Sequence, residues 1–250
     1  MKILIVGATG SIGRLSVIEA LRQGHEVRAL VRDRDRAAAL PDAAELVVGD
    51  LTRPDTLEPA VRGIDAVVLT HGSTTRESDV RDIDYAGVVN VLAALDGRRV
   101  RIALMTAVGT TRPGVAYAAW KRRGEKLVRA SGHEYTIVRP GWFDYNDPDE
   151  RRIVMRQGDT ERSGGPADGV LARDEIARVL VDSLRLDAAA RKTLELAAET
   201  GPEQEDLTDD FAALRPDVPG SPDGVLDRDL VPVEEEPARF REALRALGAL

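Results

Sequence analysis

The chain of 250 residues contains no cysteine, which excludes disulfides, thiol nucleophiles and thiolate metal sites. Its three histidines, His25, His71 and His133, stand far apart and give no reason to expect a metal centre. Long apolar runs are missing too: nothing approaches the roughly 20 residues of a membrane span. The opening run of residues 1–6 meets Gly7 too early to form a signal-peptide core. A cytoplasmic location without membrane association is the expectation. Aromatic residues make up only 4% of the chain. Excess basic charge is also lacking. The net charge is −8, and residues 201–250, with 5 basic and 13 acidic side chains, account for all of it. A balanced body with an acidic tail argues against nucleic acid, whose binding needs clustered Lys and Arg facing phosphates. The expected partner is a small molecule, and the expected state a monomer or homodimer. What is present is ordinary globular material, 43% hydrophobic and 31% charged, long enough for one large α/β domain.

Over residues 1–200, short runs rich in Val, Ile and Leu alternate with helical patterns, as in βα units feeding a parallel sheet. The pattern predicts about seven strands, at 2–6, 26–31, 44–48, 66–70, 101–106, 135–139 and 193–197, in a doubly wound parallel sheet. Helices are predicted over 12–23, 85–95, 117–131 and 173–184. After Glu199 the texture turns to Asp, Glu and Pro, including the run from Arg215 to Pro222. Residues 201–250 therefore read as an acidic appendage packing on the same domain, with short helices near 207–214 and 237–247 set on the C-terminal edge of the sheet or over a substrate cleft.

Gly7-Ala8-Thr9-Gly10-Ser11-Ile12-Gly13 lies between an apolar strand and an amphipathic helix. Gly7 permits the tight turn, Gly10 removes a side chain that would block a phosphate, and Gly13 lets the helix pack closely on the strand. The N–H groups opening the helix, at Ser11 and Ile12, then face an anion with the helix dipole in their favour. This is a Rossmann-type dinucleotide site by context as well as by glycine spacing. About 20 positions on, where an NAD site places an acidic residue for the ribose hydroxyls, this chain has Arg32. Arg32, followed by Arg34 and Arg36, suits a 2′-phosphate and makes NADP(H) the expected cofactor over NAD(H). The alternative is a solvated run in which Arg32 to Arg36 pair their own charges and Asp33 takes the ribose.

Together with Gly49-Asp50-Leu51 and Thr136-Ile137-Val138-Arg139-Pro140-Gly141, these residues resemble the short-chain dehydrogenase/reductase superfamily. More narrowly they resemble its atypical NAD(P)H-binding branch, with its NmrA-like redox sensors and flavin or biliverdin reductases. The resemblance covers residues 1–200 and implies a fold, not one reaction. It places Asp50 and Leu51 beside the adenine. It also sets Thr70, His71 and Gly72 along the cofactor, where His71 invites a catalytic role or is a packed loop residue. Reductases of the superfamily carry Tyr and Lys four residues apart on one helix, which here are Tyr117 and Lys121, with Thr106 in place of the usual Ser. The resemblance implies that Lys121 holds the nicotinamide ribose and assists Tyr117 as proton donor, while Thr106 orients the substrate oxygen. The loop before Tyr117 is shorter than the usual spacing. An i,i+4 pair of Lys121 with Glu125 on an exposed basic helix is the plainer alternative.

Trp142, Phe143 and Tyr145 concentrate aromatics just after the sixth predicted strand, where a loop lies over the ligand crevice. They form either a flat wall for a conjugated substrate or a plug holding the tail. The leading functional expectation is an NADPH-dependent reductase of a carbonyl, quinone or flavin-like acceptor. The competing expectations are a redox sensor that binds NADP(H) without turnover and an epimerase or isomerase that keeps its nucleotide bound.

Overall fold

The computed structural model describes residues 1–250. Its strands are β1 (Lys2–Val6), β2 (Glu26–Val31), β3 (Glu45–Val48), β4 (Ala66–Leu69), β5 (Arg101–Met105), β6 (Glu134–Pro140), β7 (Trp142–Phe143), β8 (Arg152–Arg156), β9 (Val170–Leu171) and β10 (Lys192–Glu199). The helices are α1 (Ser11–Arg22), α2 (Glu58–Val61), α3 (Glu77–Asp79), α4 (Ala86–Leu95), α5 (Ala116–Ala130), α6 (Arg173–Arg185), α7 (Thr208–Ala213) and α8 (Ala238–Ala246). A π-helical turn, Val80–Tyr85, joins α3 to α4.

Eight strands form one sheet in the order β3-β2-β1-β4-β5-β6-β10-β8. Seven run parallel, as the alternation of strand and helix patterns requires, and this is the doubly wound Rossmann arrangement. The eighth, β8, is an antiparallel edge strand against β10, with Met155 opposite Leu196. Sequence reading missed it because Arg152 and Arg156 bracket only three apolar residues, too short a run to stand out from a loop. The pair β7 and β9 forms a separate two-stranded sheet, also unforeseen.

Period-two alternation explains why helices cover both faces. In β1, Ile3 and Ile5 join the apolar cluster under α1 and α6, while Leu4 and Val6 join the cluster under α4 and α5. In β4, Ala66 and Val68 point one way, and Val67 and Leu69 the other. Both strands are buried throughout apart from half-buried Lys2, so burial on two faces accounts for their continuous hydrophobic character. The chain turns from β1 to β2 on one side and to β4 on the other, which opens a crevice at the C-terminal ends of β1 and β4.

Residues after Glu199 take their own path. Helix α7 packs on β8 and the turn near Asp187, with Leu207, Phe211 and Leu214 in the α1/α6 cluster. Helix α8 packs on α5 instead of over a cleft, placing Phe240 and Leu244 in the other cluster. Between them, carboxylates of the connecting segment dock on the cations of α5. Asp223 meets Arg122 at 3.0 Å, Glu236 meets Arg123 at 2.7 Å and Lys126 at 3.0 Å, and Asp217 meets Arg129 at 3.3 Å. The picture of α5 as an exposed basic helix is thereby corrected: Arg122, Lys126 and Arg129 are buried under the acidic segment.

Candidate functional site

At the crevice, β1 is followed by Gly7, whose φ of +83° only glycine adopts without strain, and a Cβ there would sit 2.8 Å from the His71 backbone nitrogen. A Cβ on Gly13 would lie 2.0 Å from the Gly7 carbonyl oxygen, so that glycine is required for α1 to approach the strand. Gly10 differs. Its only close neighbour would be the Gly7 oxygen at 3.1 Å, so the space kept by its missing side chain belongs to the cleft.

Helix α1 starts at Ser11 with neither a side-chain cap nor an acidic residue in its first turn. Its leading N–H groups are left for an anion, with the dipole favouring negative charge. They open on a cleft of about 720 Å³ lined by Gly7, Thr9, Gly10, Ser11, Ile12, Arg32, Asp50, Leu51, Thr70, His71 and Gly72 among others. Arg32 is exposed at the rim. Asp33 instead receives the Asp35 N–H at 2.9 Å, outside the cleft lining. The uncapped helix end and the room above Gly10 fit a nicotinamide dinucleotide.

Asp50 accepts the Thr52 N–H at 2.9 Å and the Thr52 hydroxyl at 2.8 Å. The Thr52 backbone bond, chiefly, holds its carboxyl below the usual range. Leu51 is anchored by the Asn90 amide, which donates to its carbonyl at 2.6 Å. The Thr70 hydroxyl donates to the Val6 carbonyl at 2.9 Å, tying β4 to β1 beneath the glycines.

His71 forms the inner wall. Its Nε2 lies 2.9 Å from the Asp84 carbonyl oxygen, an acceptor that fixes the proton on Nε2 and leaves Nδ1 as an unpartnered lone pair. Burial pushes its pKa down, against the Asp84 carbonyl, so the ring is neutral. The seat for the ring is Gly87, where a Cβ would lie 2.7 Å from Nε2. Gly87 and Asp84 went unnoticed in the sequence. Their signal was an Asp and a Gly three residues apart at the start of a predicted helix, a spacing that looked like ordinary helix surface.

The three residues expected to carry the chemistry do not meet in the cleft. Lys121 pairs with the Asp84 carboxylate at 2.5 Å, and both line a cavity of about 10 Å³ behind His71 and Met105. The alternative pairing of Lys121 with Glu125 is not formed either. Thr106 lines the same cavity and donates its hydroxyl to Glu125 Oε1 at 2.6 Å, so it does not point a free hydroxyl at a substrate. Tyr117 is half-buried against the apolar cluster beside α4, away from the cleft lining.

Glu125 belongs to a buried charge network. Fully buried Arg139 donates to both Glu125 oxygens, at 3.0 and 2.6 Å, to both Asp227 oxygens, at 2.7 and 2.8 Å, and to Glu195 at 3.1 Å. Burial drives the Glu125 carboxyl up, but Arg139 and Arg129 overcome it and hold it low. For Glu195 burial wins, raising its pKa from 4.5 to about 7.

Comparison with known proteins gives the family of the chain. The chain belongs to the NAD(P)H-binding family, which matches residues 7–187, and falls in the atypical short-chain dehydrogenase/reductase branch. It is 30% identical to the photosystem II assembly factor Ycf39 of Synechocystis over 77% of its own length and 61% of that protein's. The chain thus spans less than two thirds of that relative. It is 27% identical to sanguinarine reductase of Eschscholzia californica, covering 86% of this chain and 94% of that one. A Bacillus halodurans structure described as an NAD-dependent epimerase/dehydratase superposes with a TM-score of 0.73 at 25% identity, covering 86% of this chain and all of the other. The family holds oxidoreductases, epimerases and an assembly factor, and no helix here is long and apolar enough to cross a membrane.

Proposed function

We propose that the chain is an NADPH-dependent reductase of a small-molecule acceptor. The observation that carries this reading is the pairing of the uncapped, acid-free start of α1 with an exposed Arg32 at the rim of the same cleft. The helix N–H groups at Ser11 and Ile12 bind the diphosphate, Gly10 makes room for it, and Arg32 takes the 2′-phosphate in its charged fork. Asp50 and Leu51 flank the adenine, while Thr70, His71 and Gly72 border the ribose and nicotinamide. Met105 and Phe143 add apolar surface to the cleft lining. The nucleotide, when bound, supplies a hydride.

A second reading, a nucleotide-binding sensor without turnover, draws support from the commitments of Thr106 to Glu125 and of Lys121 to Asp84. Calorimetric titration with NADPH and NADH, followed by an acceptor panel, tests both. The reductase reading expects NADPH to bind at least about tenfold more tightly than NADH, Arg32→Glu to remove that preference, and NADPH to be consumed with some acceptor. Equal affinities for the two nucleotides sink the Arg32 assignment. Binding without consumption across the panel favours the sensor. If Tyr117→Phe and Lys121→Met keep both binding and turnover, those two residues have no catalytic part.

A further inference from the structure

Between the cleft and the C-terminal helix stands the π-helical turn Val80–Tyr85. The Ala86 N–H donates to the Arg81 carbonyl five residues back, where an α-helix uses the fourth. Single π-turns set into helices gather at functional sites. On one side, Ile83 and the preceding Asp79 line the cleft, and the Asp84 carbonyl holds the His71 ring that forms its inner wall. On the other side, Arg239 of α8 pairs with Asp82 at 3.1 Å, and its guanidinium carbon lies 5.9 Å from the Tyr85 ring centre. Phe240 and Leu244 of α8 share a core cluster with Val80 and Tyr85.

A second line of contacts runs beside the first. Glu236, just before α8, pairs with Arg123 at 2.7 Å, and the Arg123 guanidinium carbon stands 4.4 Å from the Trp120 ring centre. Trp120 packs on Tyr85 with ring centres 5.1 Å apart and donates its indole N–H to Glu77 of α3 at 3.1 Å. The turn is also built to change. Slipping from π to α spacing rotates its side chains by about 100°, so Ile83 leaves the cleft and Asp82 leaves Arg239 in one step. Two discrete arrangements of this kind are what coupling between distant sites requires. Packing around the turn is incomplete: the Asp84 Oδ1 and Tyr85 hydroxyl are buried without a protein partner, and both residues line the cavity of about 10 Å³ behind His71. A fully satisfied interior would resist the rotation.

We infer that this turn couples the nucleotide cleft to the docking of α8. A nucleotide resting on Ile83 and the His71 wall favours the arrangement in which Asp82 and Tyr85 receive Arg239, and a docked α8 favours the arrangement that completes the cleft. Helix α8 lies outside residues 7–187, the part of the chain that matches the family. The coupling rests on the nucleotide-binding half of the proposed function and needs no turnover. Linkage makes the two effects equal in size.

The test uses the full chain and NADPH. In hydrogen exchange followed by mass spectrometry, saturating NADPH is expected to slow the α8 amides about fivefold. Helix α7, which packs in the cluster on the opposite face of the sheet, is expected to keep its rate. Calorimetry supplies the reciprocal arm. Arg239→Glu is expected to weaken NADPH binding about fivefold, and the added change Asp82→Arg to recover most of that loss. Arg245→Glu, an equal charge change at the exposed end of the same helix, is expected to stay within about twofold of the wild type. Unchanged α8 exchange with NADPH bound, equal slowing of α7 and α8, wild-type affinity in Arg239→Glu, or no recovery in the charge-swapped pair overturns the coupling and leaves nucleotide binding standing. Failure of both NADPH and NADH to bind sinks the coupling together with the reading it rests on.

Discussion

Replacing Glu195 by Gln should make the protein progressively more stable, relative to the wild type, as the pH rises from about 5 to about 8. The cause is the burial of a carboxyl that has only a share of Arg139. Glu125, Asp227 and Glu195 all contact this one guanidinium, and the buried Asp159 acts on Glu195 both ways, its backbone N–H lowering the pKa and its carboxylate raising it. Burial is the largest influence on Glu195, lifting its pKa from 4.5 to about 7, while Arg139 opposes that rise. The folded state therefore favours protonated Glu195 more than the unfolded chain does. This contribution is intact below the unfolded value and is lost as the pH climbs through the folded one. Linkage between 4.5 and 7 gives a loss on the order of 2.5 kcal/mol from pH 5 to pH 8. Glutamine stays neutral throughout and can still accept from Arg139. Urea unfolding of both proteins across that range reads the effect directly, because contributions from every other group cancel in the difference. A gap between the two that does not widen with pH would refute the reasoning, and with it the claim that this carboxyl is held neutral.

Three further outcomes follow from the same structure. Asp227→Ala strips two hydrogen bonds from the buried Arg139 and should cost about 3–5 kcal/mol in urea unfolding, as expected for breaking a buried pair; a loss below about 1 kcal/mol would mean that the segment carrying Asp227 is held by other contacts. Phe211→Ala, deep in the α1/α6 cluster, should cost about 3–5 kcal/mol, and an unchanged midpoint would show that α7 is dispensable. Gly13→Ala forces a methyl to within 2.0 Å of the Gly7 oxygen. It should destabilise by about 1–3 kcal/mol, and calorimetry should find NADPH affinity lowered at least about tenfold; a thermal melt and Kd matching the wild type would contradict the close approach of α1.

The parallel sheet was legible because buried strands leave short, uninterrupted apolar runs, as at residues 2–6, where Gly7 marks the end. Residues 2–6 and 66–69 needed no tertiary information to be recognised as strands. The phosphate turn was legible for a related reason: Gly7 and Gly13 are demanded by local geometry, so their spacing is set by the backbone itself. What stayed hidden depends on partners distant in sequence. Thr106 and Lys121 had the right types and places, yet Glu125 and Asp84 engage them, and no spacing rule predicts which of several nearby carboxylates a side chain will choose. Arg139 looked like one residue of a strand motif. Its role became visible only when Asp227, 88 positions away, was found beside it. The cations of α5 seemed solvated for the same reason, since their counter-ions lie beyond residue 216.

That separation has a consequence for how the molecule is made. Helix α5 and β6 precede Asp217, Asp223, Asp227 and Glu236 in the chain, so Lys126 is made before both of its counter-ions, and Arg139, which already has Glu125, before Glu195 and Asp227. Until those arrive, closing the interior would strand positive charge without its full complement of counter-ions. The charge balance around α5 and β6 is therefore completed only by side chains of the acidic segment, Asp223, Asp227 and Glu236, far along the chain from the cations they meet.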